Sequence, residues 1–180
     1  MTEIGKSYYK SLYKVATIIT SARSPEDILL AIIENVAQCM GVKGCALMLL
    51  TSDRKLLLHT VYCGLSDSYI KKGPLTVDES IRTALEGKPV VVLNVNEDER
   101  IQYPEAARKE GIESMLTIPI TLRGENIGIL RVYSSEPRQF SEDDIYFARA
   151  VAHLGAIALD NSKRYDRLQE EHETFRRRTF

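Results

Sequence analysis

The sequence predicts an α+β fold in which a sheet packs a helix layer on one face and lines a small cavity with the other. Three observations carry this. Single apolar stripes run along helical segments at both ends of the chain. Residues 45–63 read as an antiparallel hairpin. Two later strands, 115–122 and 127–133, each pair one wholly apolar face with one mixed face. A helix layer suits the first kind of face, and a cavity suits the second.

The opening helix rests on Tyr8, Leu12, Val15, Ile19 and Ala22, spaced three and four apart, with Lys6, Lys10 and Lys14 off the stripe. Ser24 is placed to cap a second helix, with Pro25 at its first position and Glu26 and Asp27 near the positive dipole end. Leu29, Ile32, Ile33, Val36, Ala37 and Met40 give it a buried face, and Gly41 suits its stop. The strand 45–50 is apolar on both faces, so it is covered on both sides. Thr51 to Arg54 turns the chain into a returning strand, Leu56 to Cys63. Gly64 to Thr76 reads as a loop, broken by Gly73-Pro74. Short helices over 78–86 and 103–110 enclose a short strand, 89–93, and a polar acidic loop from Asn94 to Arg100. In the strand 115–122, Leu116, Ile118, Ile120 and Leu122 share the apolar face, opposite Met115, Thr117, Pro119 and Thr121. In 127–133, Gly128, Leu130 and Val132 oppose Ile129, Arg131 and Tyr133.

Ser141 and Asp144 form an N-terminal box for the last helix, with Asp where Glu or Gln is usual. From there Phe147, Val151, Leu154, Ala158, Asn161, Tyr165, Leu168, His172 and Phe175 repeat in steps of four and three. The first part of this seam can bury itself against the sheet. Beyond Asp160 the composition turns charged while the seam persists, which predicts a partner helix along Asn161, Tyr165, Leu168, His172 and Phe175. In a parallel pair Glu171 faces Arg176 of the second helix, a complementary contact. The competing expectation is a solvated single helix. The domain division is an N-terminal helix over 1–23, a domain over 24–163 and a helical extension over 164–180.

Composition excludes several classes. The chain of 180 residues is 44% hydrophobic and 27% charged, with a formal charge of −1. No broad basic face for nucleic acid follows from that balance, and Arg176 to Arg178 is too short a run to supply one. The longest apolar run, Cys45 to Leu50, is far short of the ~18 residues of a membrane span. Three cysteines without close pairing predict reduced thiols in the cytoplasm. Phosphate loops, paired-carboxylate motifs and nucleophile elbows are all missing from the sequence, so catalysis is not expected. His59 and Cys63 are four apart on a strand, hence on one face but about 13 Å apart, too far to share a metal. Cys39 and Cys45 read as small core residues. Cys63 is the thiol expected to see the cavity, and the sequence shows no resolving partner near it.

Several segments resemble the GAF domain family in order and spacing, over about residues 25 to 163. Gly44 to Leu50 is similar to its first strand. Asn94 to Pro104 resembles its acidic "DxRxxyP" loop, and Gly111 to Ile120 its "GirSlLavPL" strand. Gly124 to Leu130 resembles "GevIGvL", and Phe140 to Asp144 the "FseeD" helix start. The resemblance implies a six-stranded antiparallel sheet, with terminal helices on one face and short helices and loops over a pocket on the other. It also implies a sensory or dimerisation role, with output through the C-terminal helix. Since the chain ends soon after that helix, the implied output is a signalling kinase or regulator in trans, unless the chain is one piece of a longer protein.

The family's subclasses can be tested on residues. The Asn-Lys pair of cyclic-nucleotide-binding members is missing from Val132 to Phe140, and no cysteine is followed by the histidine common at bilin sites. GAF-fold methionine sulfoxide reductases use cysteines before the penultimate strand, where this chain has none. By resemblance, the pocket positions fall on Ala46, Tyr62, Cys63, Ser80, Ile81, Asn94, Tyr103, Ile112, Thr117 and Arg131. Such a pocket suits an unidentified small polar or anionic molecule, with Arg131 able to take an anion through its guanidinium fork. It equally suits a ligand-free dimerisation module in which Tyr62 and Tyr103 fill the space. A cysteine-based redox enzyme is the weaker alternative.

Overall fold

A computed structural model describes the backbone of residues 3–21 and 24–179, and the side chains of residues 7–21, 24–79 and 81–161. Helices α1 (Glu3–Ile19) and α2 (Pro25–Met40) precede strands β1 (Gly44–Leu50) and β2 (Leu56–Cys63). Then come α3 (Asp67–Ile70), β3 (Leu75–Thr76), α4 (Glu79–Leu85), β4 (Val90–Val92) and α5 (Pro104–Glu110). Strands β5 (Ser114–Leu122) and β6 (Glu125–Ser134) lead to the long helix α6 (Glu142–Thr179). The six strands form one sheet in the order β3-β2-β1-β6-β5-β4, with every neighbouring pair antiparallel.

Local chemistry sets the boundaries. Ser24 caps α2 by accepting from the Asp27 N–H at 3.2 Å, and Gly41 ends it in the left-handed conformation. At α6 the box closes with Asp: Asp144 N–H donates to Ser141 Oγ at 3.1 Å, and Ser141 N–H to Asp144 Oδ2 at 2.9 Å. The loop predicted over 64–76 instead contains α3 and β3. Four residues carry no periodicity, and α3 exists because Ser66 caps it and Tyr69 buries itself beneath.

The sheet separates two cores. On the helix side Leu116, Ile118, Ile120, Leu130 and Val132 pack with Leu29, Ile33, Val36, Phe147 and Val151 of α2 and α6. On the other side Ala46, Met48, Met115, Ile129 and Tyr133 pack under Tyr69, Leu75, Ile81 and Ile112 of the roof. Phe147, Val151 and Ala158 are buried in the chain's own helix layer. The first part of the predicted seam is therefore intramolecular. Tyr165, Leu168, His172 and Phe175 lie outside the described side chains, as does Ser80.

A bulge in β2 changes which face its end presents. Leu47 pairs with Val61 and Met48 with His59, so Thr60 is the extra residue. One extra residue reverses the alternation: His59 stays on the roof side, while Val61 and Cys63 turn into the helix-side core. The expectation that Cys63 sees the cavity is thus overturned, and His59 and Cys63 lie on opposite faces.

One buried polar node ties the helix layer together. Tyr8 of α1 stacks on Phe147 with ring centroids 4.3 Å apart, and its hydroxyl donates to Asp144. Arg138 donates to the same carboxylate at 3.2 Å and to the Met40 carbonyl at the end of α2 at 2.6 Å. Burial pushes the Asp144 carboxyl up, but hydrogen bonds from Tyr8 and Ser141 and the charge of Arg138 outweigh it and hold it below the ordinary value. Asp144→Asn is expected to lower stability by about 2–4 kcal/mol at pH 7, because Arg138 loses its buried counter-charge. The carboxylate's contribution is present above the unfolded value near 3.8 and is lost as pH falls through the lower folded one. Urea unfolding between pH 3 and 7 checks this: the variant's curve is flatter at the acid end.

Candidate functional site

The roof-side core contains a small cavity between β4, β5 and β6 below and the roof elements above. Its apolar wall comes from Leu75, Ile81, Val90, Val92 and Met115; Tyr69, Lys72, Gln102, Tyr103, Thr117 and Arg131 supply the polar groups. The free volume is about 20 Å³, room for about one water molecule.

Strand register builds the floor. Val90 pairs with Thr117, Thr117 with Arg131, Arg131 with Ala46, and Ala46 with Tyr62, so five residues form one row across the sheet. Arg131 Nε donates to Thr117 Oγ1 at 3.2 Å, and its other row neighbour is the small Ala46. The neighbouring row runs Pro119, Ile129, Met48 and His59, which puts the imidazole on the same face as the arginine, two strands away.

The roof adds a second cation. Lys72 follows α3, donates to the Tyr69 carbonyl at 3.0 Å, and holds its Nζ 3.6 Å from the Tyr69 ring centroid and 5.8 Å from that of Tyr103. Neither Lys72 nor Arg131 forms an ion pair with a carboxylate among the described residues. Burial pushes the Lys72 amine down to about 8, repulsion from Arg131 adds to the fall, and Glu110 partly opposes it. Glu110 is itself engaged by the Ser66 N–H at 2.9 Å and by Lys43 at 3.7 Å. Burial lowers His59 to about 4, with Lys72 and Arg131 both repelling its proton, and its Nε2 has no hydrogen-bond partner among the described residues. Lys72 and Arg131 thus line one cavity with no carboxylate ion-paired to either among the described residues, and such a site favours an anion. The third cation, Arg100, is neutralised by Asp98, at 2.8 and 2.5 Å.

Two polar latches close the roof. Gln102 Nε2 donates to the Thr76 carbonyl at 2.8 Å and to Asp78 Oδ2 at 2.7 Å, while its Oε1 accepts from the Thr76 N–H at 2.9 Å. The Tyr103 hydroxyl donates to the Pro74 carbonyl at 2.8 Å. Outside this wall lies an open groove of about 730 Å³, which shares Tyr69, Gln102 and Tyr103 with the cavity. Those three side chains are the partition between inner cavity and outer groove.

Of the residues expected to line a pocket, Ile81, Tyr103, Thr117 and Arg131 meet in the cavity. Ala46 lies in the same row and Ile112 in the same core without lining it. Tyr62 ends that row at the surface, donating to Asp67 at 3.1 Å. Asn94 lies instead in a separate outer groove beside Val91 and Glu97, with its side chain accepting from the Asn96 N–H at 3.0 Å. Cys63 is on the far face. Lys72 and Tyr69 line the cavity without having been expected there. Lys72 and Tyr69 fall in a segment without periodicity, and the Gly73-Pro74 breaker was the one signal that the chain doubles back there.

The family model of the GAF domain matches residues 22–160. The chain is 28% identical over 170 residues to the methyl sulfide methyltransferase-associated sensor of Methanosarcina acetivorans, covering 91% of this chain but 17% of that protein. Its fold is similar to the GAF domain of a phosphoenolpyruvate-protein phosphotransferase from Coxiella burnetii, with a TM-score of 0.78, 18% identity, and coverage of 90% of this chain and 98% of that one. It is also similar to free methionine-R-sulfoxide reductase from Neisseria meningitidis, with a TM-score of 0.75, 15% identity, and coverage of 92% and 95%.

The buried imidazole gives a direct test of the site's charge. Because the folded value for His59, about 4, lies below the ordinary 6.5, the unfolded chain takes up this proton first as pH falls between them. His59→Gln is expected to remove part of the stability loss between pH 6.5 and 4, read as a shallower fall of the urea midpoint. In Arg131→Met one repelling charge is gone, so the His59 midpoint followed by NMR moves upward.

Proposed function

Since this chain belongs to the GAF domain family, we propose that it is a sensory module whose inner cavity receives a small anion and whose long terminal helix carries the response. The observation that carries this reading is the meeting of Arg131 and Lys72 in one cavity with no carboxylate ion-paired to either among the described residues. An anion there would take the Arg131 fork and the Lys72 amine, with Thr117 fixing the arginine's orientation. A ligand larger than a single small ion must part the Gln102 and Tyr103 latches, and the open groove lies directly outside them. No catalytic step is assigned to the site.

A path from cavity to helix layer supports the output half of the reading. Ile81 of α4 lines the cavity, and Asp78, which caps α4, is held by Gln102. Past the other end of α4, the Gly87 carbonyl accepts from Arg149 of α6 at 3.0 Å. Opening the Gln102 latch would therefore move a short helix whose far end is bonded to α6. Dimerisation through the terminal helices is part of the proposal. Tyr9 and Tyr13 of α1 are 68% and 78% exposed, and Tyr146 and Ile157 of α6 66% and 47%, which leaves apolar surface on the outside of the helix layer. Asn161 is exposed where the predicted seam leaves the core. A second reading, a packed-shut dimerisation module, is favoured by the 20 Å³ volume.

Calorimetric titration with pyruvate and with inorganic phosphate separates these readings. The sensor reading expects binding of at least one, weakened about tenfold or more in Arg131→Met, the size of one lost charge-assisted contact. It also expects affinity to fall above pH 8 as Lys72 loses its proton, and proton uptake on binding at pH 8.5 that Lys72→Met abolishes. Equal heats for wild type and Arg131→Met, or none with either probe, would leave the packed-shut module standing. Hydrogen exchange along residues 165–175 should change on binding, and Arg149→Ala should blunt that change while leaving affinity intact.

A further inference from the structure

The helix-side face of the β1–β2 hairpin carries two thiols directly opposite one another. Cys45 and Cys63 are register partners, and both belong to the helix-side core. The bulge at Thr60 produces this arrangement, since it turns Cys63 onto the face already occupied by Cys45. Directly opposed residues of an antiparallel pair have Cα atoms about 4.5 or 5.5 Å apart, and both spacings fall inside the range a disulfide spans. The hairpin end is also held close. A Cβ on Gly44 would stand 2.3 Å from the Cys63 carbonyl oxygen, and one on Gly64 2.0 Å from that of Lys43, so only glycines permit this approach. Both cysteines are free thiols in the structure.

We propose that Cys45 and Cys63 are an oxidation site: a reversible cross-strand disulfide forms between them when a hydroperoxide reaches the half-buried Cys63. The two thiols divide the work. Cys63 is partly exposed and the Cys45 thiol beside it stabilises its thiolate; burial and Glu34 oppose this, but the net effect lowers its pKa. Cys45 is fully buried, and burial keeps it protonated. Cys63 sulfur attacks one peroxide oxygen, forming an S–O bond and breaking the O–O bond, and the departing hydroxide takes up a proton as water. Cys45 sulfur then attacks the Cys63 sulfenic sulfur. The S–S bond forms, the S–O bond breaks, and the hydroxide released takes the Cys45 proton. In sum, two thiols and one hydrogen peroxide give one disulfide and two waters, each sulfur losing one electron and each peroxide oxygen gaining one. A reductant dithiol reverses the change. Cys39 stands apart on α2, its thiol set against Ser7 of α1.

Peptide mapping under non-reducing conditions tests this on the whole chain. The reduced protein is treated with one equivalent of hydrogen peroxide, blocked with an alkylating agent and digested. The expected result is one intramolecular cross-link joining the peptides of Cys45 and Cys63, lighter by two hydrogen atoms, with Cys39 alkylated. Cys39→Ser should give the same cross-link, dithiothreitol should abolish it, and Cys63→Ser should leave Cys45 as a thiol. A cross-link through Cys39, a disulfide between two chains, or Cys63 sulfinic acid beside an unmodified Cys45 would overturn the proposal. The mapping is done on wild type, so it does not depend on any variant folding. Its outcome is independent of whether the cavity binds an anion.

Discussion

Alternation along β5 and β6 is the constraint on which the other features rest. Neither strand lies at an edge of the sheet, and each residue must face either the helix layer or the roof. Leu116, Ile118, Leu130 and Val132 take the first side and are buried by α2 and α6. That commitment forces Thr117 and Arg131 onto the second. A shift of one residue in either strand would place a guanidinium among the leucines of the helix layer, at a cost of several kcal/mol for an uncompensated buried charge. The hydrophobic demand of one face thereby fixes the position of the charged group on the other.

Arg131, delivered to a small half-buried cavity, contributes to the electrostatics of its surroundings. It adds its repulsion to the burial that depresses Lys72 and His59, and it has Thr117 as a positioning partner where a carboxylate would ordinarily sit. Hydrogen bonds from two neutral side chains close the roof: the Gln102 amide, bonded to Thr76 and Asp78, and the Tyr103 phenol, bonded to Pro74. Each latch hydrogen bond contributes on the order of 1 kcal/mol net, so the roof can part without the sheet unfolding. The helix layer is held differently. There Asp144 joins α1, the end of α2 and the start of α6 through a charged, buried node. A layer tied by a buried charged node and a roof tied by side-chain hydrogen bonds share one sheet, and the contact of Arg149 with Gly87 spans the two.

What the sequence made legible follows the strength of local signals. Thr117 and Arg131 could be placed because nine- and ten-residue strands carry enough alternation to define a face. Ser24, Gly41 and the Ser141–Asp144 box could be placed because capping chemistry is local. Ile81 and Tyr103 were reached through family resemblance. Cys63 was misplaced because a bulge leaves no mark in a single sequence, and Thr60 looks like any exposed strand residue. Lys72 was invisible for a related reason: α3 is four residues long, and what folds the lysine over the cavity is the burial of Tyr69 against Tyr133, a T-shaped contact at 5.8 Å. Asn94 followed its loop into a different groove, since an Asx turn satisfies its side chain locally.

The central claim is that the roof face of the sheet holds a cationic centre, with no carboxylate ion-paired to it among the described residues, able to take an anion. A crystal soaked in bromide, whose anomalous scattering locates the ion directly, tests it, because a monatomic anion needs little more room than the water-sized space present. The account predicts an anomalous peak bridging the Arg131 guanidinium and the Lys72 amine, with Gln102 and Tyr103 still latched above it. Bromide found on exposed lysines and helix ends while the cavity holds none would contradict it.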